Sequence, residues 1–285
     1  MGLAVEPLSP ALGARVTGID LRATVDEAAF AAIHRAWLDH QVLVFPGQKL
    51  GEDDQLRFTR LFGEPGGRNR KVAAAEEGRV SHPGIMLISN IREDGKPIGS
   101  LPDGEMMFHS DGAYAKRPFR YTLLYAIEVP SSGGNTLFAN MYKACETLAP
   151  ELRRRLAGCH AEHRYYAGTV QKDRPSDSLT GVRTHPLFVA HEETGRAALY
   201  ASRLLTTRIV ELPPAESEAV LERLFDHAEW REFIYEHVWT PGDFVMWDNR
   251  CTNHARTDFA SGERRLLRRT TVLGTDPAPA REEAA

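Results

Sequence analysis

The chain reads as a mainly β protein, a β-sandwich or jelly roll with helical insertions, folded as a single domain. Three observations predict this. Short runs of β-branched and aromatic residues dominate the middle and end of the chain, as at 42–45, 121–129 and 244–247. Helical periodicity falls before and between those runs rather than alternating with them strand by strand, which argues against a parallel doubly wound sheet. Neither an internal repeat nor a clear linker divides residues 1–274.

Taken in order, residues 3–21 read as two short strands broken by Pro10 and Gly13. Thr24 followed by Glu27 forms a capping-box signature. Behind it Phe30, Ile33 and Trp37 share one helical stripe, predicting a helix over 26–40. Val42, Leu43, Val44 and Phe45 form a continuous apolar run, the pattern of a buried strand, closed by Pro46-Gly47. A second helix is expected over 53–62, with Gly63 as its stop.

Residues 64–83 lose periodicity and gain Gly66, Gly67 and charge, and read as a surface or active-site loop. A strand at 85–88 follows, then a Gly/Pro/charge-rich connection over 92–104 that runs into Phe108-His109. Strands at 121–129 and 136–138 are separated by the turn 130–134, and two helical pieces are expected at 142–148 and 150–156. The polar, aperiodic stretch 165–181 suits a mobile lid, or equally a plain surface loop. Strands near 186–189 and 198–201 flank the hairpin signal Glu192-Glu193-Thr194-Gly195, and a helix should cover 215–227. The last third carries strands at 244–247 and 266–273, and the Pro/Ala/Glu tail 275–285 is expected to be disordered.

Composition narrows the function classes. With 42% hydrophobic and 26% charged residues the chain is ordinary for a globular protein, and 285 residues are enough to bury a sizeable core. No apolar run approaches the roughly 18 residues a membrane helix needs, and the N-terminus lacks a charged-then-apolar signal pattern. Cys145, Cys159 and Cys251 are odd in number and scattered, which argues against a disulfide framework. A cytoplasmic location is expected. The net charge of −4 offers no global attraction to nucleic acid or to an anionic membrane.

The chemistry centres on Phe108-His109-Ser110-Asp111. In a strand, residues two apart point to the same face, so His109 and Asp111 make two corners of a facial metal triad. A surface histidine beside a turn aspartate reads as well from this pair alone. The segment from Trp247-Asp248-Asn249-Arg250 to His254 offers a third ligand. Beyond it, Arg264 to Arg269 builds charge into a strand. Alternation puts Arg265, Leu267 and Arg269 on one face and Arg264, Leu266 and Arg268 on the other, with Arg265 and Arg269 roughly 13 Å apart. An inward guanidinium needs a carboxylate-like partner, because leaving it unpaired costs several kcal/mol; a dicarboxylic acid would supply one. Cys159-His160-x-x-His163 resembles half of a zinc site without a second half nearby, and reads equally well as a half-buried strand.

These motifs stand in the order and spacing of the taurine/2,4-dichlorophenoxyacetate dioxygenases, which the chain resembles over nearly its whole length. Gly133-Gly134-Asn135-Thr136 matches as well, and Gly18-Ile19-Asp20-Leu21, His40-Gln41-Val42 and Phe62-Gly63-Glu64 look like the family's N-terminal landmarks. The resemblance implies a double-stranded β-helix (jelly roll) with His109, Asp111 and His254 as Fe(II) ligands and 2-oxoglutarate and O2 as cosubstrates. It implies that Arg265 and Thr136 hold the distal carboxylate of 2-oxoglutarate, and that Arg269 lies near both the cosubstrate and the substrate's anionic group. Trp247 and Asp248 would support the ligand loop.

Asp111 matters further, because relatives that halogenate replace this carboxylate. A taurine-oxidising member carries a histidine after Phe-Gly-Glu, where simple counting here places Arg68; Gly112 stands beside the iron carboxylate. Taurine is therefore not the expected substrate, and Arg68 becomes a candidate second clamp for an anion.

The expected activity is hydroxylation, with cleavage where the carbon bears a heteroatom, of a small sulfonate, aryloxy acid or carboxylate, releasing succinate and CO2. Desaturation or oxidative decarboxylation of an amino-acid-derived natural-product intermediate competes within the same chemistry. A non-catalytic jelly-roll binder of organic acids is the alternative of a different class. The family also implies a homo-oligomer, dimer or tetramer.

Overall fold

The computed structural model describes residues 2–67, 80, 82–101, 104–166, 170 and 179–281. Two sheets form its centre. The larger runs in the order Ala4–Pro7, Ala14–Thr17, Val42–Phe45, Phe244–Asp248, Phe119–Glu128, Leu266–Leu273, Met86–Ser89. Its pairings are antiparallel except between Ala14–Thr17 and Val42–Phe45. The smaller sheet runs Ile234–His237, Thr136–Asn140, Thr252–Arg256, Met106–His109. Hydrogen-bonded neighbours distant in sequence, stacked as two antiparallel layers, make this the single-domain jelly roll.

The apolar run 42–45 shows why the layers stack. Val42 and Val44 point between the sheets, where they meet Leu124, Ala126, Val245, Trp247 and Leu267 of the larger sheet and Phe138 of the smaller. Leu43 and Phe45 point the opposite way, into a core with Phe244, Met246, Tyr121 and the helix residues Ile33, Trp37 and Phe58. Period-two alternation thus serves two apolar faces, so no polar residue interrupts the strand. A third core packs helices Met141–Glu146 and Pro214–Ala228 with the hairpin Phe188–Ala190/Ala197–Leu199, and reaches the outer face of the smaller sheet at Ala139.

Local chemistry sets the element ends. Asp26, not Thr24, caps the helix Glu27–His40: its carboxylate accepts the Ala29 N–H at 2.8 Å, and a cap at Thr24 would fall two residues early. The second helix spans Glu52–Arg60, where the Asp54 carboxylate accepts the Gly51 N–H at 2.9 Å.

Two further expectations need correction. The described part of the tail is not disordered. Ala190 N–H donates to Ala278 O and Ala280 N–H to Phe188 O, each at 2.9 Å, so this segment satisfies the free edge of a hairpin. Residues 282–285 lie outside the described residues. The stretch 165–181 is β-structured at both ends, because Tyr165 and Tyr166 belong to His160–Tyr166, which pairs with Leu179–Pro186. Its remaining lid residues, Val170 apart, are outside the described set, as are 68–79 of the earlier loop.

Candidate active site

The site opens between the two sheets. His109 is the last residue of Met106–His109, and His254 is its register partner on Thr252–Arg256. Their rings lie 4.1 Å apart, centroid to centroid. Asp111 is not in the strand, as the two-residue spacing suggested, but in the turn after it, where Gly112 takes φ +77. A side chain at 112 would be strained there and would meet the Phe119 N at 3.1 Å. The turn still delivers the carboxylate. Asp111 Oδ1 lies 3.9 Å from His109 Nε2, and Oδ2 lies 4.0 Å from His254 Nε2.

Each of these groups is held. His109 Nδ1 is tied to the Met107 carbonyl at 3.0 Å, which leaves Nε2 facing Asp111. The Thr122 hydroxyl donates to Asp111 Oδ2 at 2.7 Å, and Asn249 Nδ2 donates to the same hydroxyl at 2.9 Å. Trp247 Nε1 donates to Asn249 Oδ1 at 2.9 Å, while the Trp247 ring packs 4.8 Å from that of His254. Asp248 lies one step behind, fully buried, pairing with His191 at 2.9 Å and Arg250 at 2.7 Å. Trp247 and Asp248 are therefore braces of the ligand loop.

The electrostatics suit a cation. Burial keeps His254 neutral, with its pKa pushed down to about 3, and lowers His109 as well. Burial opposes the charge on Asp111, but Arg269, with Nη1 at 3.6 Å, and its neighbours hold the carboxyl down at about 2. At neutral pH the site is thus two neutral imidazoles and one carboxylate, the forms that ligate metal. Their ligand atoms lie within 4.8 Å of one another, and this donor set fits Fe(II) with one face left open.

A second cluster, His191, Asp248 and Cys251, has the same compactness. There, however, Arg250 already supplies the cation, and burial pushes the Cys251 thiol well up. Cys159, His160 and His163 form no metal-competent cluster among the described residues. His160 pairs with Glu211 at 2.8 Å, and His163 Nδ1 faces the Thr206 hydroxyl.

A cavity of about 290 Å³ extends from this centre, lined by His109, Asp111, Gly112, Thr136, His254, Arg265 and Arg269. Arg265 is 2% exposed, and among the described residues it has no carboxylate partner. One Nη2–H reaches the Gly134 carbonyl at 3.3 Å, but Nε is buried without a partner. A Cβ at Gly134 would sit 3.3 Å from that Nε, so the glycine lets the loop approach the guanidinium closely. Thr136 accepts the Trp239 indole N–H at 3.0 Å, and among the described residues nothing accepts its own proton. A buried guanidinium with a free donor and an idle hydroxyl, both lining one cavity, are what a bound carboxylate would complete.

Arg268, on the opposite face, shows the other solution. It bonds Gln55 Oε1 and the Leu50 and Gly51 carbonyls at 2.7–3.0 Å and needs no ligand.

The structure thus brings together every expected site residue except Arg68, which lies outside the described residues. Sequence reasoning missed the Thr122–Asn249 brace, since no local pattern links it to Asp111. It also missed Arg256 and the aromatic pair Tyr114–Tyr165, stacked 4.9 Å apart at the cavity. One more step of strand alternation beyond His254 would have pointed to Arg256.

A jelly roll carrying two imidazoles, a carboxylate and a buried arginine between its sheets defines the class of Fe(II)- and 2-oxoglutarate-dependent dioxygenases. The family model described as taurine catabolism dioxygenase TauD, TfdA family, matches residues 4–271, and the chain belongs to that family. It is 38% identical to pentalenolactone F synthase of Streptomyces avermitilis, over 94% of this chain and 93% of that one. It is 34% identical to the alpha-ketoglutarate-dependent 2,4-dichlorophenoxyacetate dioxygenase of Cupriavidus pinatubonensis, over 96% and 98% of the two chains. The solved structure of a taurine dioxygenase from Burkholderia xenovorans superposes with a TM-score of 0.82 at 32% identity, covering 99% of this chain and 95% of the other. The protein is an Fe(II)/2-oxoglutarate-dependent dioxygenase using O2, and the non-catalytic alternative is set aside.

Proposed function

We propose that the enzyme hydroxylates a small organic acid with an apolar body, with His109, Asp111 and His254 holding the iron. The observation that carries this reading is the convergence of that neutral-imidazole and carboxylate set on a cavity that is also lined by the buried Arg265, which has no carboxylate partner among the described residues. With metal, 2-oxoglutarate and O2 bound, the centre supplies oxidative decarboxylation coupled to C–H oxidation, yielding succinate and CO2. The chain's own residues position and shield. Arg265 and Thr136 take the distal carboxylate. Arg269 keeps Asp111 ionised and presents positive charge to the substrate's anionic group.

Met86, Ile88, Leu101, Met106, Leu204 and Leu205 line the remaining wall, with Tyr114 and Tyr165. Such walls favour an aryloxy acid or an alicyclic carboxylate over a small sulfonate like taurine. Arg68 as a second anion clamp belongs to the same proposal, as does Gly112 as the small residue that keeps the space beside Asp111 open.

Succinate release with Fe(II), ascorbate and 2-oxoglutarate across sulfonates, aryloxy acids, terpenoid acids and amino-acid-derived carboxylates tests the reading. Stimulation by aryloxy or alicyclic acids supports it; stimulation by taurine alone overturns the substrate class. Mass analysis of the product separates hydroxylation from desaturation or decarboxylation.

A homo-oligomer is part of the proposal, supported by the exposed Trp230 and Val238 (53% and 67% exposed) and tested by light scattering. A cytoplasmic setting is inferred from the burial of Cys145, Cys159 and Cys251 with no disulfide among the described residues, and is tested by fractionation. No helix among the described residues is long and apolar enough to cross a membrane.

A further inference from the structure

We propose that Trp239 is a positioning residue for the cosubstrate: its indole N–H fixes the Thr136 hydroxyl as a donor to the distal carboxylate of 2-oxoglutarate. The inference rests on the reading of Thr136 given above. His237 is the register partner of Thr136 on the edge strand Ile234–His237, and Trp239 follows just past that strand's end. From there its Nε1–H reaches back to Thr136 Oγ1 at 3.0 Å. Thr136 lines the cavity, whereas Trp239 sits behind it and not in the cavity wall.

The ring is held on several sides. It packs into the core between the sheets with Phe138, Val245 and Leu267. It meets the His237 ring edge to face, with centroids 4.6 Å apart. The turn after it is closed by Asp243, whose carboxylate accepts the Thr240 N–H at 2.9 Å and lies 3.3 Å from His237 Nε2. Trp239 and Thr136 are both buried, so water competes little for their bond.

The polarity of that bond carries the argument. A hydroxyl has one proton and two lone pairs, and an indole N–H only donates. Trp239 therefore cannot take the Thr136 proton; by filling one lone pair it turns that proton away from itself. A carboxylate only accepts, so a hydroxyl committed to donating suits it. Accepting from the indole also polarises the O–H and strengthens its own donation. Trp239 thus acts on the cosubstrate through Thr136, without touching it.

Anaerobic calorimetric titration of the Mn(II)-loaded full-length protein tests this with 2-oxoglutarate and with 2-oxovalerate, which lacks the distal carboxylate. Trp239→Phe keeps an aromatic ring and removes the N–H. It is expected to weaken 2-oxoglutarate by about three- to tenfold and to leave 2-oxovalerate within about twofold. Thr136→Val is the reference. In that background the added Trp239→Phe is expected to change 2-oxoglutarate affinity by less than about twofold, because the hydroxyl through which Trp239 acts is gone.

If Thr136→Val weakens 2-oxoglutarate and Trp239→Phe does not, the role of Trp239 is overturned while the reading of Thr136 stands. If Thr136→Val leaves 2-oxoglutarate unchanged, the reading of Thr136 has failed, and this inference with it. Equal weakening of both ligands by Trp239→Phe, or a full effect persisting in the Thr136→Val background, assigns Trp239 to packing and overturns the proposal. Should Trp239→Phe not fold, the assigned indole N–H resonance of Trp239 in the Zn(II)-loaded parent carries the test. A downfield shift with 2-oxoglutarate that 2-oxovalerate does not produce supports the relay, since a hydroxyl that donates to a carboxylate accepts more strongly. No shift, or the same shift with both ligands, contradicts it.

Discussion

His109 and His254 face each other in register on adjacent antiparallel strands, their rings 4.1 Å apart and both largely buried. The sheet itself sets that pairing, so the metal-ligand geometry is built on hydrogen-bonded backbone rather than on a loop. Asp111 is the loop-borne member, and it is steadied by Thr122 and Asn249.

His109→Ala or His254→Ala is expected to abolish substrate-coupled succinate formation while the circular dichroism spectrum stays that of the parent. Each removes one of three ligands without removing core hydrocarbon. Retained turnover in either variant would sink the ligand assignment.

Arg265→Ala is expected to raise the KM for 2-oxoglutarate by about ten- to a hundredfold, the range for losing a charge-assisted bond worth about 1.5–3 kcal/mol. Steady-state kinetics with 2-oxoglutarate varied at saturating substrate measures it. An unchanged KM means that a different arginine holds the carboxylate.

Thr122→Val keeps the shape of the side chain and removes the proton donated to Asp111 at 2.7 Å. Metal affinity should fall by about tenfold or more, as when other outer hydrogen bonds to a ligand are lost. Competition with a fluorescent chelator reads this directly, and wild-type affinity would show that the hydroxyl serves only the fold.

Asp248 predicts an acid limb of stability. Burial works against its charge, but Arg250 and His191 outweigh it and hold the carboxyl below the usual range. A carboxyl depressed on folding contributes stability above its unfolded pKa of about 3.9, and that contribution is lost as pH falls through the folded value. Asp248→Asn should therefore cost about 1–3 kcal/mol near neutral pH, the cost of losing charge-assisted bonds to His191 and Arg250 while Arg250 keeps Glu192 and Glu193 as partners, and should flatten the dependence of Tm on pH below about 4. Melts from pH 7 to pH 3 decide it; parallel curves for the two proteins would count against the buried pair.

Much of this was legible before any coordinates. Period-two alternation placed Arg265 and Arg269 on the inward face, and the apolar run 42–45 announced a buried strand. The residues that escaped did so for physical reasons. Asn249 reaches Thr122 only because Phe244–Asp248 pairs with Phe119–Glu128, far away in sequence, and Thr122 meets Asp111 across the turn that follows Asp111; register of that kind leaves no local trace. Asp111 was placed in a strand because spacing alone cannot reveal that Gly112 turns the chain at positive φ. The capping-box pattern favoured Thr24 over Asp26, although both residues carry a capping oxygen. The tail was read from composition, which says nothing of the hairpin edge that receives Ala278 and Ala280.

The most direct test of the central claim is anaerobic titration of Fe(II) into the metal-free protein with 2-oxoglutarate present, following the visible charge-transfer absorption of an iron-chelated 2-oxo acid. One equivalent of iron is expected to bind with that absorption in the parent protein, and the absorption is expected to be lost in both His254→Ala and Asp111→Ala. Full absorption at one equivalent in either variant would contradict it.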